Sequence, residues 1–223
     1  MSAFAQYFTS IKDKRIAVLG LGVSNRPLVR LLLEFGCQVY GCDRTPREKL
    51  DAEVLELETM GCTLRVGDSY LDGLDAELVF RTPGMHPGNP ALEALRAKGA
   101  QITSEMEVFF EVCPCTILAV TGSDGKTTTT TLISEMLKAE GKNVWLGGNI
   151  GTPLLPLCRQ MRESDYAVVE LSSFQLKVTL RIFYGFLSVL FGGLSPCNIY
   201  FISIFKCGRY DLYLAVAYGD KTA

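Results

Sequence analysis

The segment TGSDGKTTTT, at residues 121–130, combines glycines, a lysine and threonines between an apolar run and a helical pattern. Backbone N–H groups in such a turn, and at the N-terminus of the following helix, attract an anion. Lys126 can reach between the β- and γ-phosphates of a nucleotide, and the Thr127 hydroxyl can ligate Mg²⁺. The segment therefore predicts an ATP site, although Val120 replaces the first glycine of the usual phosphate-loop pattern. The predicted ATP-binding residues are Gly122, Ser123, Asp124, Gly125, Lys126, Thr127 and Thr128.

Two segments downstream place polar residues where strands are expected to end. WLGGNIGTPLL puts Asn149 in a glycine-rich turn, and YAVVELSSFQL ends a strand at Glu170. A carboxylate at the end of a strand beside a phosphate-loop strand is well placed for Mg²⁺. Glu170 alone also fits a solvated strand end, but the loop upstream favours the metal role. Thr127 and Glu170 are the predicted metal ligands, and Lys126 and Glu170 the predicted catalytic residues.

A second glycine-containing turn, Gly20-Leu21-Gly22-Val23-Ser24-Asn25, follows the first expected strand and opens a helix. Asp43 ends the next strand, where an acidic residue suits a ribose hydroxyl. Asn25 replaces the third glycine, so the dinucleotide fingerprint is incomplete. A nucleotide or nucleotide sugar, a nicotinamide dinucleotide and a turn without a ligand all remain compatible with this pattern. Arg44 fits either a phosphate contact or a solvated side chain, and the loop residue His86 fits a surface position better than catalysis.

Strand and helix patterns alternate along the first 112 residues and again from Thr116 onward. This alternation predicts an α/β fold with parallel sheets and right-handed crossovers. The net charge of −2 gives no basic excess for nucleic acid. Eight cysteines without a C-x-x-C motif and a single histidine make a zinc site improbable, and they favour reduced thiols in the cytoplasm.

The composition changes sharply near the C-terminus. No Asp or Glu occurs from Leu171 to Tyr210, and residues 182–205 carry no charge at all. Three interpretations remain: an out-of-frame ending, which we favour, a membrane-spanning segment, or a divergent genuine ending. With such a tail we expect the second sheet to lose strands, which would leave a frayed edge and an aggregation-prone chain.

The segments TGSDGKTTTT, GGNIGTPL and ELSSFQL resemble, in this order and spacing, those of the Mur ligases of peptidoglycan synthesis. ELSSFQL is most similar to the members that add D-glutamate to UDP-N-acetylmuramoyl-L-alanine. GLGVSNRPL is similar to their N-terminal UDP-binding domain. The resemblance covers about residues 10–176, and the phosphate loop of this family normally lacks the early glycine.

The resemblance implies an ATP- and Mg²⁺-dependent amide ligase that phosphorylates the substrate carboxylate before the amine of D-glutamate attacks it. Asn149 would then contact the muramoyl-alanine part of the substrate. The UDP end would be held by Gly22, Ser24, Asp43 and Arg44. Small-molecule substrates, a monomer, and no nucleic-acid or membrane partner are expected.

This chain also departs from the family pattern. No histidine follows His86, so one metal ligand of the family has no counterpart, and the carbamylated lysine cannot be assigned. Family members also carry a third domain that is absent here, so an incomplete and inactive fragment is expected. Alternatives are a non-catalytic nucleotide-sugar and ATP-binding module and, less favoured, an NAD-dependent oxidoreductase domain.

The predicted organisation has three parts. Residues 1–104 form a Rossmann-like UDP-sugar-binding domain, and residues 105–176 form part of a central P-loop α/β ATP-binding domain. Residues 177–223 form the atypical apolar tail.

Overall fold

The computed structural model describes residues 1–86, 88–122, 124–149, 151–172, 175, 199–207 and 210–217. The chain divides into two compact units, Met1–Val112 and Cys113–Ala223. Within these described residues, each unit is built on one five-stranded sheet. The predicted α/β fold class is confirmed by these sheets and their intervening helices.

The first unit has a wholly parallel sheet in the order β3-β2-β1-β4-β5. Its strands are β1 (Arg15–Leu19), β2 (Gln38–Asp43), β3 (Thr63–Val66), β4 (Leu78–Phe80) and β5 (Gln101–Thr103). Its helices are α1 (Ala3–Ile11), α2 (Asn25–Glu34), α3 (Ala52–Thr59), α4 (Pro90–Ala97) and α5 (Glu105–Val112), with a short 3-10 helix at Arg47–Lys49. Because β1 is central and β2 is its neighbour, the turns that follow these two strands lie at the same edge of the sheet.

Helix α1 is a finding that the sequence pattern did not predict. It begins after Ser2, whose hydroxyl accepts a hydrogen bond from the Ala5 amide, as an N-cap should. Phe4 and Phe8 are buried, and the ring of Phe8 stacks on that of Phe35 with centroids 4.8 Å apart. Aromatic burial of this kind attaches the N-terminal helix to the end of α2.

The second unit has the strand order β7-β8-β6-β10-β9. Its strands are β6 (Thr116–Gly122), β7 (Val144–Gly148), β8 (Tyr166–Glu170), β9 (Ile199–Cys207) and β10 (Tyr210–Ala217). Helix α6 (Lys126–Ala139) follows β6, and a 3-10 helix covers Leu155–Gln160. Strands β7, β8, β6 and β10 run parallel to one another, and β9 runs antiparallel to β10.

The threonine run in α6 is accommodated by hydrogen bonds within the helix. Gly125 takes the N-cap position and provides no side-chain cap. The hydroxyls of Thr130 and Thr131 instead donate to the carbonyls of Lys126 and Thr127, four residues earlier, at 2.7 and 2.8 Å. These bonds satisfy the two hydroxyls within the helix, so the threonine run does not interrupt α6.

The tail contributes strands to the second sheet. Strand β10 pairs in parallel with β6, from Leu212 opposite Ile117 to Ala217 opposite Gly122. The expectation that the tail leaves the second sheet with a frayed edge is therefore wrong beside β6, which has β10 as its neighbour. Residues 182–198 of the uncharged stretch lie outside the described residues, and residues 199–205 belong to β9. No helix within the described part of the chain is long and apolar enough to cross a membrane.

The boundary between the compact units falls between Val112 and Cys113 along the chain, whereas the predicted domain boundary follows residue 104. Helix α5 accounts for the difference, because it packs within the first unit. The Glu107 carboxylate on α5 accepts a hydrogen bond from Ser104 and forms an ion pair with the buried Arg81 at 3.3 Å. A buried ion pair broken by moving α5 would leave an unpaired charge, so these contacts keep the helix in place.

Candidate nucleotide-binding site

The predicted phosphate loop lies between the end of β6 and the start of α6. Gly122, the last residue of β6, has a φ of 147°, and Gly125 has a φ of 71°. Both values lie in the region that favours glycine, so the turn requires these two residues. The Lys126 ammonium donates to the Gly122 carbonyl at 3.1 Å, which holds its charge beside the loop. Ser123 lies outside the described residues.

Glu170 ends β8 with its side chain almost entirely buried, at 2% exposure. One carboxylate oxygen accepts a hydrogen bond from the Thr127 hydroxyl at 2.8 Å. The other is 3.5 Å from the Asn149 amide nitrogen, which is the upper limit for such a bond. The structure therefore brings together Thr127, Asn149 and Glu170. Thr127 precedes Glu170 by 43 residues in the sequence, and Asn149 precedes it by 21.

Two glycines make this arrangement possible. A Cβ at Gly147 would overlap the Thr152 carbonyl oxygen and lie 2.7 Å from Leu154. A Cβ at Gly148, whose φ is 106°, would overlap the Glu170 carbonyl oxygen. The backbone N–H of Asn149 donates to the same Glu170 carbonyl at 2.8 Å. Gly148 thus lets the end of β7 lie against the end of β8, and Gly147 lets the segment around Thr152 and Leu154 pack against β7.

Asp43 connects two loops in the first unit. Its carboxylate accepts hydrogen bonds from the Leu21 amide at 2.7 Å and the Thr45 amide at 2.8 Å. Partial burial alone would raise the pKa of this carboxyl, but the hydrogen bonds from Leu21 and Thr45 outweigh it and hold the pKa below its ordinary value. The side chain therefore fixes the turn after β1 to the end of β2.

Asn25 occupies the place of the third glycine and has a structural role. Its amide donates to the carbonyls of Leu19 at 3.1 Å and Gly20 at 2.8 Å, and the residue is 2% exposed. The Arg26 guanidinium donates to the Leu21 carbonyl at 2.8 Å and pairs with Asp51 and Glu53. Two side chains thus satisfy the carbonyls of a turn that glycines would leave more mobile.

The remaining predicted residues are distributed over the two units. Gly22 is exposed, and the half-buried Ser24 is the N-cap of α2 without a capping hydrogen bond from its hydroxyl. Arg44 is exposed beside Asp43, and Asp124 and Thr128 are exposed in the phosphate loop and the first turn of α6. Gly22, Ser24, Asp43 and Arg44 belong to the first unit, whereas Asn149 belongs to the second.

The His86 side chain makes a hydrogen bond within the loop that follows β4. Its Nδ1 accepts a hydrogen bond from the Gly88 amide at 3.1 Å. This contact is local, two residues apart, and it gives the ring a structural role in the loop after β4.

Sequence reasoning missed Asn25, Arg26, Gly147 and Gly148 as residues that shape these sites. The signal for Gly147 and Gly148 was present, because paired glycines at a strand end suggest a close backbone approach. Nothing in the sequence indicated the partners of Arg26, which lie 25 and 27 residues further along the chain.

The residues of the second unit fit Mg²⁺ bound together with a nucleotide. No group of three or more His, Cys, Asp or Glu side chains within the described ranges is arranged to hold a metal ion. Mg²⁺ does not require such a group, because it binds through one or two carboxylates together with substrate phosphates and water. The Thr127 hydroxyl and the Glu170 carboxylate, already in contact with each other, form a donor set of this kind.

Residues 120–188 match the family described as the Mur ligase middle domain. A UDP-N-acetylmuramoylalanine--D-glutamate ligase of Clostridium botulinum strain Hall is 50% identical over 176 residues, which are 78% of this chain and 38% of the relative. The ligase of the same name from Ruminiclostridium cellulolyticum is 50% identical over 172 residues, covering 77% and 37%. A solved murein peptide ligase from Psychrobacter arcticus aligns at 25% identity over 72% of this chain and 38% of that chain, with a TM-score of 0.45.

The fold defines an α/β protein with a glycine-rich strand–turn–helix loop, and the comparisons place this chain in the Mur ligase family. Within that family it is similar to the ligases named for D-glutamate. The chain spans less than two fifths of the length of these curated relatives, at 38% and 37%.

Proposed function

We propose that this chain carries the UDP-sugar-binding and ATP-binding parts of a ligase that adds D-glutamate to UDP-N-acetylmuramoyl-L-alanine. Two curated relatives named for this activity are 50% identical to it, and the match with one of them extends over 176 residues. A match of that length includes residues of both compact units. The proposal therefore includes both the UDP-sugar site of the first unit and the ATP site at the phosphate loop of the second.

The observation that carries the proposal is the buried Glu170 carboxylate in contact with Thr127. A buried charge in a protein is normally paired with an opposite charge or coordinates a metal. Within the part of the chain that the structure describes, no Lys or Arg forms an ion pair with Glu170. A Mg²⁺ ion beside the nucleotide phosphates would balance this carboxylate, with Thr127 as its neighbouring ligand.

The other residues take roles that follow from their positions. The loop residues 122–128 cradle the phosphates with their backbone N–H groups, and the Lys126 ammonium neutralises phosphate charge. Bound Mg²⁺ supplies further charge neutralisation for phosphoryl transfer to the substrate carboxylate. The family resemblance gives Asn149, whose side chain lies 3.5 Å from the Glu170 carboxylate, the contact with the muramoyl-alanine end of the substrate.

In the first unit, Gly22, Ser24 and Arg44 present the UDP-binding groups. Asp43 holds the turn on which Gly22 and Ser24 lie, through its bond to Leu21. The backbone of a turn at a helix N-terminus suits the diphosphate of UDP. We propose a cytoplasmic location, because the six cysteines with described side chains are all free thiols. The monomeric state and the small-molecule substrates are proposed from the family resemblance.

A binding and turnover assay tests the proposal. UDP-N-acetylmuramoyl-L-alanine and Mg²⁺–ATP are titrated separately into the full chain by calorimetry, and phosphate release is then measured with and without D-glutamate. We expect both ligands to bind, and we expect no phosphate release stimulated by D-glutamate, in line with the inactive chain expected from the sequence. Stimulated release would overturn the expected inactivity, and binding of NADH in place of the UDP-sugar would overturn the assignment of the first unit.

The Glu170→Gln variant tests the metal role separately. The amide keeps the size of the side chain and removes the charge, so Mg²⁺-dependent ATP affinity is expected to fall about 10- to 100-fold. Glu163→Gln is the matched control, because Glu163 is exposed in the same unit. Equal ATP affinities for the two variants in the presence of Mg²⁺ would contradict the role of Glu170.

A further inference from the structure

Three sulfur atoms form a cluster in the second unit, away from the phosphate loop. The Cys113 and Cys115 thiols are 3.4 Å apart, and each lies 4.0 Å from the Met161 thioether. All three residues are buried, with exposures of 1%, 0% and 7%. Cys115 precedes the first residue of β6, whereas the phosphate loop follows its last residue. The cluster therefore lies at the opposite edge of the sheet from the nucleotide site.

The triangle of sulfurs has the dimensions of a three-coordinate metal site. Its sides are 3.4, 4.0 and 4.0 Å. The point equidistant from the three atoms lies about 2.2 Å from each of them, close to the ~2.3 Å length of a metal–thiolate bond. An ion placed there would contact all three sulfurs without a large movement of the side chains.

The donor atoms decide which ion would fit. Two thiols and a thioether form a soft set, and soft sulfur ligands select Cu(I). Zn²⁺ prefers four ligands drawn from thiolate, imidazole and carboxylate groups. No group of three such side chains in the described residues is arranged for a metal ion. The neighbouring Cys158 thiol donates to the Leu154 carbonyl at 3.7 Å and is not needed as a donor.

The three donors also lie in segments that can admit an ion. Cys113 and Cys115 belong to the connection between α5 and β6, and Pro114 between them is half-buried. Met161 follows the 3-10 helix Leu155–Gln160. Because none of the donors lies within a strand or an α-helix, a local loop movement gives an ion access without breaking the sheet.

We propose that Cys113, Cys115 and Met161 form a binding site for a single Cu(I) ion. On binding, the two S–H bonds break, two Cu–S bonds form, and the two protons pass to the solvent. The Met161 sulfur donates a lone pair as the third bond. Copper enters and remains as Cu(I), so no electron is transferred and no oxidant is required.

Competition with bicinchoninate, a coloured Cu(I) chelator, tests the site in the full chain under anaerobic conditions without added thiol. We expect the chain to remove one equivalent of Cu(I) from the chelator. X-ray absorption at the copper edge should then show three sulfur neighbours. This spectroscopic measurement uses the unaltered chain and does not depend on whether a variant folds.

Variants assign the donors. Cys115→Ser removes a thiolate and is expected to weaken Cu(I) binding at least about 100-fold, and Met161→Leu about tenfold. Met161→Leu conserves volume and should preserve the fold, which far-UV circular dichroism checks. Met106→Leu is its matched control, since Met106 is a buried methionine of the first unit.

Further controls exclude the other cysteines. Cys37→Ser, Cys158→Ala and the double variant Cys197→Ser/Cys207→Ser should each retain Cu(I) affinity within about threefold. Failure of the unaltered chain to take up Cu(I) would overturn the proposal. So would copper with fewer than three sulfur neighbours, an unchanged affinity in Cys115→Ser, or a loss in Cys37→Ser as large as that in Cys115→Ser.

Discussion

Asp43 shows how one side chain can support a site without itself having to bind the ligand. Both of its hydrogen bonds described above go to backbone amides, those of Leu21 and Thr45. An acidic residue after the second strand is usually interpreted as a ribose ligand. Here its first effect is to connect the turn after β1 with the end of β2, so any nucleotide meets a turn that is already ordered.

The stabilising effect of Asp43 depends on pH in a definite direction. Because its pKa is lowered in the folded chain, the ionised carboxylate stabilises the fold at neutral pH, and this contribution is lost as the pH falls through the folded pKa. Asp43→Asn is expected to reduce the free energy of unfolding by about 1–2 kcal/mol at pH 7, because one amide loses a charged acceptor.

The measurement is urea unfolding followed by circular dichroism at several pH values. The difference between the unaltered chain and Asp43→Asn should shrink as the pH falls below the ordinary carboxyl value of 3.8. Asp68→Asn is the control, because Asp68 is exposed in the same unit. A difference that stays constant with pH would show that the lowered pKa does not contribute to stability.

At the scale of elements, the sequence predicted the strands and helices whose patterns are regular. The apolar runs at β1, β2, β6 and β8 and the helical spacing of α2 and α4 were sufficient, because burial in a parallel sheet requires such runs. The strand–turn–helix form around Gly122 and Gly125 was also predictable, because its glycines and the first residues of α6 lie within one local segment. Helix α1 was missed, because its burial depends on a contact with Phe35 far along the chain.

The helical pattern after the glycine-rich turn corresponds to α6 in the structure. Two of its apolar residues, Leu132 and Met136, are nevertheless 56% and 68% exposed. The buried residues are instead Thr129, Thr130 and Ser134. Small polar side chains face inward here, so the hydrophobic pattern identified the helix but not its orientation.

The close approach of β7 to β8 gives a prediction for these two strands. Gly148→Ala introduces both an unfavourable φ and an overlap with Glu170, and it should destabilise the second unit by about 3 kcal/mol. Thermal unfolding followed by the fluorescence of Trp145, the single tryptophan and a residue of β7, measures the change.

Gly141→Ala is the matched comparison for this variant. Gly141 also has a positive φ, of 73°, but nothing lies within 4 Å of its Cβ position. Its cost should therefore be only the backbone strain, about 1 kcal/mol. If the two variants unfold at the same temperature, the overlap at Gly148 is relieved by a small backbone shift and does not constrain the site.

At the scale of the whole molecule, the C-terminal strands alter how the chain should behave. The sequence predicted a frayed second sheet, because the tail has an atypical composition and no helical or alternating pattern that identifies its partner. The structure instead pairs β10 with β6, over Leu212–Ala217. This pairing satisfies backbone groups of the strand that leads into the phosphate loop.

Ending the chain after residue 198 tests that role. The variant lacks β9 and β10, so β6 loses one neighbour and exposes unpaired backbone groups beside apolar residues. We expect more light scattering and a lower thermal midpoint than in the full chain. A chain ended after residue 217 retains both strands and is the control. Equal scattering and equal midpoints for the two shortened chains would contradict a stabilising role for β9 and β10.

The crowding at Gly147 and Gly148 bears on how this protein would appear in a saturation-mutagenesis screen. Neither position admits a side chain, because the space beside each is filled by a backbone carbonyl oxygen. Both would score as intolerant as Lys126, although neither contributes a reactive group. A map of mutational tolerance would therefore draw the boundary of the proposed nucleotide site too wide, and only a separate measure of folding would distinguish the glycines from the residues proposed to bind the nucleotide.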